Sequence, residues 1–162
     1  MKTRIHQLIR ISTPVMAKRA FAALVALTIT ASAFAKDVTR NISYKTMDHF
    51  KSAYSEASDV QWTLKNDFVK ASFLLEGERV EAFYSLQGEL IGSSKAISSQ
   101  SLPAAAQRLI NKKYDKYTVK EVIQFDGAEA TKFYVSLDGS KKQVVLEVNQ
   151  DGATSVFRTT KK

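Results

Sequence analysis

The chain has 162 residues, 44% of them hydrophobic and 25% charged, and its 24 Lys and Arg against 16 Asp and Glu give a formal charge of +8. It contains no cysteine, which excludes disulfides, thiolate metal sites and cysteine nucleophiles. The basic excess is unevenly placed, and that decides how it is read.

Lys2, Arg4, Arg10, Lys18 and Arg19 precede an apolar run from Ala20 to Ile29, and the small residues Ala31, Ser32, Ala33 and Ala35 follow. A charged start, a short apolar run and small residues two apart form the pattern of an export signal. Residues 1–35 are therefore expected to be a signal peptide, cut after Ala35, with a periplasmic or secreted product. A membrane span needs about 20 apolar residues. Ala20 to Ala35 is shorter and is interrupted by Thr28, Thr30 and Ser32, so no stable membrane anchor is expected after cleavage. The signal holds five basic residues and no acidic ones, leaving 19 against 16, or +3. A nucleic-acid partner argued from bulk charge loses its support. The remaining residues 36–162 suit one domain with one core and no disulfides.

Lys36 to Ile42 reads as a short lead. A first helix is predicted from about Ser43 to Ala57, with Met47, Phe50, Tyr54 and Ala57 on one face. Val60, Trp62 and Leu64 then alternate with polar residues, and Asn66-Asp67 makes a turn. Val69, Ala71, Phe73 and Leu75 alternate up to Glu76-Gly77. Val80, Ala82, Tyr84 and Leu86 follow up to Gln87-Gly88, and Leu90 to Ile97 makes a weaker fourth strand. Ser101-Leu102-Pro103 opens a second helix, with Leu102, Ala106, Leu109 and Ile110 as its apolar stripe. Four more strands are predicted at about Thr118–Phe125, Thr131–Leu137, Lys142–Asn149 and Thr154–Thr159, separated at Asp126-Gly127, Asp138-Gly139 and Asp151-Gly152.

The second half thus repeats the plan of the first, residues 43–97 against 101–160. The expected fold class is α+β: two tandem helix-plus-four-strand repeats sharing one core and forming one antiparallel sheet, with both helices on one face. Phe50, Ala57-x-x-Val60-x-Trp62, Val80-Glu81-Ala82-x-Tyr84 and Gly88-Glu89-Leu90-Ile91 carry a pattern that continues with Leu102-Pro103, Lys113-Tyr114 and Val119-x-Glu121-Val122. In these residues the chain resembles the PepSY-like family of exported bacterial proteins, whose fold is similar to that of the beta-lactamase inhibitor protein. The resemblance implies a periplasmic or secreted binding domain, with inhibition of a peptidase or another envelope enzyme as the activity suggested for the wider group.

Catalytic chemistry has little to stand on. After the signal only His49 remains to act as an imidazole base or ligand, on a helix beside Phe50. Glu76, Glu78 and Glu81 cluster at a hairpin turn, and the Asp-Gly pairs are turn chemistry. No catalytic residue, metal site or cofactor is expected, and the protein is read as non-enzymatic. Lys112, Lys113, Lys116 and Lys120 form the densest basic patch, read as a solvated helix end.

Two functions compete. One is a protein-binding module outside the cytoplasm, with inhibition of its partner as the activity; the other is a periplasmic small-molecule or ion carrier using the space between sheet and helices. Period-two alternation sends Phe68, Lys70 and Leu74 of the second strand, and Glu81 and Phe83 of the third, to the face away from the helices. In the second half Lys132, Tyr134, Val145 and Glu147 go the same way. This open face, with aromatic anchors among charges of both signs, is the candidate partner site.

Overall fold

The structure is a computed structural model that describes residues 41–162. The expected signal peptide and most of the lead lie outside the described residues.

Ser43 starts the first helix, α1 (Tyr44–Ala53), by accepting the Thr46 amide on its hydroxyl. That bond satisfies one of the amides a helix start leaves without a partner. Tyr54 closes α1 through its amide to the Phe50 carbonyl, so the helix is shorter than its periodicity suggested. Four strands follow: β1 (Ser58–Leu64), β2 (Phe68–Leu75), β3 (Glu78–Ser85) and β4 (Leu90–Ala96). A short 3-10 turn at Ser99–Ser101, capped by the Ser98 hydroxyl, leads through Leu102 and Pro103 into α2 (Ala104–Lys113). The last four strands are β5 (Thr118–Gly127), β6 (Thr131–Asp138), β7 (Lys142–Asn149) and β8 (Thr154–Lys161). Asp126 and Gly127, expected to make a turn, belong to β5; the turn comes after them, where the Gly127 amide bonds the Ala130 carbonyl.

The eight strands form one antiparallel sheet in the order β1 to β8, each pairing with its neighbour in sequence. Residues opposite one another across a ladder share a face. One such row runs Val80, Lys95, Gln124, Phe133, Val148 from β3 to β7. Val80 packs in the cluster under α1, and Phe133 and Val148 in the cluster under α2, so both helices lie on one face.

The expectation of one shared core requires correction. Phe50 of α1 packs with Val69, Ala71, Phe73, Val80, Ala82 and Tyr84. Ala106 and Ile110 of α2, with Leu102, pack with Val122, Val135, Leu137, Val144, Leu146 and Val148. Between these clusters the helix-side positions of β4 and β5 are polar: Ser93 and Lys95, then Gln124 and Asp126. Gln124 and Thr131 both donate to the Asp126 carboxylate, so this seam is held by hydrogen bonds. Two smaller corrections concern single residues. Leu109 is only half-buried and Ile110 carries the α2 contact. Trp62 is also half-buried, because β1 is an edge strand and no other described strand flanks its outer side.

Gly88 and Gly152 have the same φ of 84° and the same task. A Cβ at Gly88 would sit 2.8 Å from Ser43 Oγ and 3.0 Å from the Thr46 amide nitrogen. At Gly152 it would sit 2.9 Å from Ala105 Cβ and 3.2 Å from the Ala106 amide nitrogen. Each glycine therefore combines a left-handed turn with the close approach of a helix start to the sheet.

Candidate functional site: the sheet face away from the helices

The row Glu81, Ser94, Phe125, Lys132, Asn149 crosses the sheet on the face opposite the helices. Strand alternation puts Phe68, Lys70, Ser72 and Leu74 of β2 and Phe83 of β3 on the same face, with Tyr134 of β6 and Val145 and Glu147 of β7. All nine residues expected to form the partner surface thus share one face.

They are less exposed than expected. Phe68, Lys70, Phe83, Tyr134 and Val145 are buried, Phe83 to 1% exposure and Tyr134 to 2%. Leu74, Glu81, Lys132 and Glu147 are half-buried. Part of this burial comes from contacts within the face. The Phe68 and Phe83 rings meet at 6.0 Å, Phe83 and Phe125 at 6.2 Å, and Tyr134 and Phe157 edge-on at 5.2 Å. Gly92 of β4 makes room for this row, since a Cβ there would lie 2.5 Å from Phe125 Cζ.

The charges on the face are as closely organised as the rings. Lys70 donates to Glu81 Oε1 at 2.5 Å, and the Ser72 hydroxyl donates to the same oxygen at 3.2 Å. Lys132 donates to Glu147 Oε1 at 3.0 Å, and the Tyr134 hydroxyl donates to Glu147 Oε2 at 3.0 Å. In both clusters a lysine and a hydroxyl two residues later meet a glutamate on the next strand. Ser72 lies directly opposite Glu81, as Tyr134 does opposite Glu147. Burial pushes the Tyr134 phenol well above the usual tyrosine range, and the Glu147 charge and its hydrogen bond push the same way. The hydroxyl is thus a firm donor at any physiological pH.

Sequence reasoning did not place Phe125, Phe157 or Arg158 on this face. Bulges between Val119 and Glu121, and between Val145 and Leu146, interrupt the period-two count in the strand pairs that hold them. A usable signal existed for Phe125: counting from Val122, fixed inward by its apolar neighbours, puts Phe125 outward.

On the helix side, Phe50 stands 5.0 Å ring to ring from both Trp62 and Phe73, so packed aromatics fill the space beneath α1. A shallow cleft remains beside edge strand β1, lined by Met47, Lys51, Tyr54, Val60 and Trp62. His49 is exposed, with Nδ1 3.4 Å from the Tyr84 hydroxyl. The basic patch residues Lys112, Lys113, Lys116 and Lys120 are all exposed. Among the described residues no three His, Cys, Asp or Glu side chains gather to hold a metal, and no helix is long and apolar enough to cross a membrane.

No protein-family model and no curated protein matches the sequence. Solved structures do match. A DUF2874 family protein from Bacteroides uniformis ATCC 8492 aligns with a TM-score of 0.65 at 14% identity, covering 74% of this chain and 88% of its own. A BLIP-like protein from Bacteroides fragilis NCTC 9343 aligns with a TM-score of 0.62 at 20% identity, covering 74% and 85%. A proposed periplasmic protein from Bacteroides eggerthii DSM 20697 gives 0.65 at 14% identity, covering 74% and 88%. At these identities the likeness concerns the fold, and the fold of this chain is BLIP-like.

Proposed function

We propose that the chain is an exported, non-enzymatic protein-binding module of the PepSY-like type, built from two tandem repeats, that receives its partner on the sheet face away from the helices. The partner class it suits is an envelope enzyme, a peptidase above all, which the contact would block. The observation that carries this reading is the aromatic row Phe68, Phe83, Phe125 on a face that neither helix covers. A second apolar layer that neither α1 nor α2 covers resembles the buried centre of an interface, with Lys70–Glu81 and Lys132–Glu147 supplying fixed polar contacts around it. The rigid sheet holds these side chains in place before a partner arrives, which lowers the ordering cost of binding. The likeness to a BLIP-like protein and to a proposed periplasmic protein supports a binding role outside the cytoplasm. The matched lysine–glutamate–hydroxyl clusters and the matched Gly88 and Gly152 turns support the repeat.

Site-specific photo-crosslinking tests the proposal. A crosslinking amino acid at Leu74 or Lys132, both half-buried on the face, should trap one and the same envelope protein in living cells. The same group at Lys51 or Arg108, on the two helices, should trap none. Capture from the helix positions and not from the face would overturn it.

A further inference from the structure

The two lysines of the face are already neutralised, Lys70 by Glu81 and Lys132 by Glu147. Arg158 is not. It lies on β8 opposite Val145, and therefore on the same face, next to Phe157, whose ring meets that of Tyr134. Its Nε is buried without a hydrogen-bond partner, and among the described residues no carboxylate lies within ion-pair distance of it. A guanidinium does not lose its proton in a protein. A buried N–H on a permanent cation is stabilised only when an acceptor reaches it, and a carboxylate is the acceptor whose geometry and charge match a guanidinium.

Resting on the reading of this face as the partner surface, we infer that the partner is a polypeptide segment that places an Asp or Glu carboxylate on Arg158. The position of Arg158 favours an extended segment over a free anion. β8 is the last strand of the sheet, so among the described residues its outer backbone groups have no strand partner, and they can pair with an added strand. The half-buried ring of Phe157, adjacent in sequence and braced by Tyr134, offers apolar contact to the residue next to the acid.

The test uses a defined peptide probe in place of the natural partner. Random dodecapeptides displayed on phage are selected against protein purified from cells expressing the whole chain. Selected peptides are then synthesised and titrated by fluorescence anisotropy against wild type, Arg158→Gln and Phe157→Ala, each checked for an unchanged fold by circular dichroism. The peptides should share an acidic residue, and Arg158→Gln should weaken them about tenfold or more. Replacing that acid by its amide should cause the same loss on wild type and little further loss on Arg158→Gln. Unchanged affinity for Arg158→Gln, or a consensus without an acid, overturns the inference. If Phe157→Ala then still weakens binding, the face remains the partner surface and only the carboxylate assignment fails. If neither variant matters, both readings fail. A dimer of the protein that disappears in Arg158→Gln would put a second copy on this site and also overturn the extended-peptide assignment.

Discussion

Phe73 is fully buried, and its ring stands 5.0 Å from that of Phe50 and 4.7 Å from that of Tyr54. Phe73→Ala should cost about 3–5 kcal/mol in urea unfolding, because the surrounding rings cannot collapse into the space. A loss below about 1 kcal/mol would mean that the ring does not pack under α1. Charge behaves differently according to burial. Lys70→Ala leaves the half-buried Glu81 without its cation, whereas Lys45→Ala breaks an ion pair whose side chains are 63% and 71% exposed. The first should cost about 2 kcal/mol or more and the second under about 1 kcal/mol; equal losses would overturn the distinction. Tyr84 and Tyr134 give a pH test. Burial is the main cause that holds both phenols above the usual tyrosine range. The folded chain therefore keeps two protons that the unfolded chain releases above about pH 10. These residues leave stability unchanged below that pH and reduce it as pH rises further. In an absorbance titration, two of the six tyrosines should ionise only as the protein unfolds.

At the scale of elements, each helix is tied to the sheet by a glycine turn. Gly88→Ala and Gly152→Ala should each destabilise by more than the roughly 1–2 kcal/mol of a left-handed alanine, since the new methyl also meets the start of α1 or α2. Ser43→Ala should cost about 1 kcal/mol through loss of the cap alone, measured by the same thermal or urea melts. A glycine variant no worse than Ser43→Ala would show that the helix starts can move away at little cost. Most strands were legible from alternation: β7 matches its expected bounds, and β2, β3 and β6 agree to within a residue or two at each end. The errors cluster where local pattern and pairing diverge. Asp126-Gly127 reads as a hairpin turn, yet pairing with Ser93 and Gly92 of β4 and with Thr131 of β6 extends β5 through it.

At the scale of the whole molecule, the continuous sheet joins two apolar clusters, and its outer strands protect its inner ones. Ending the chain before Thr154 removes β8 and turns β7, with buried Val144, Leu146 and Val148, into an edge. That truncated protein should aggregate or bind a hydrophobic dye, because a long apolar edge strand recruits other chains; a soluble monomer with unchanged circular dichroism would refute it. Local chemistry in the sequence determined the α+β class, the strand phases of β2, β3, β6 and β7, and the membership of the candidate face. Alternation, turn residues and caps act between near neighbours, so they can be read along the chain. Only the tertiary structure decided that the core is split by the polar seam of β4 and β5, and that the face is lined by Phe125 and Phe157 as well. It also decided that, among the described residues, Arg158 stands there without the carboxylate that Lys70 and Lys132 have. Those outcomes depend on bulges and on pairing between strands distant in sequence, where one extra residue exchanges the two faces and no local pattern records it.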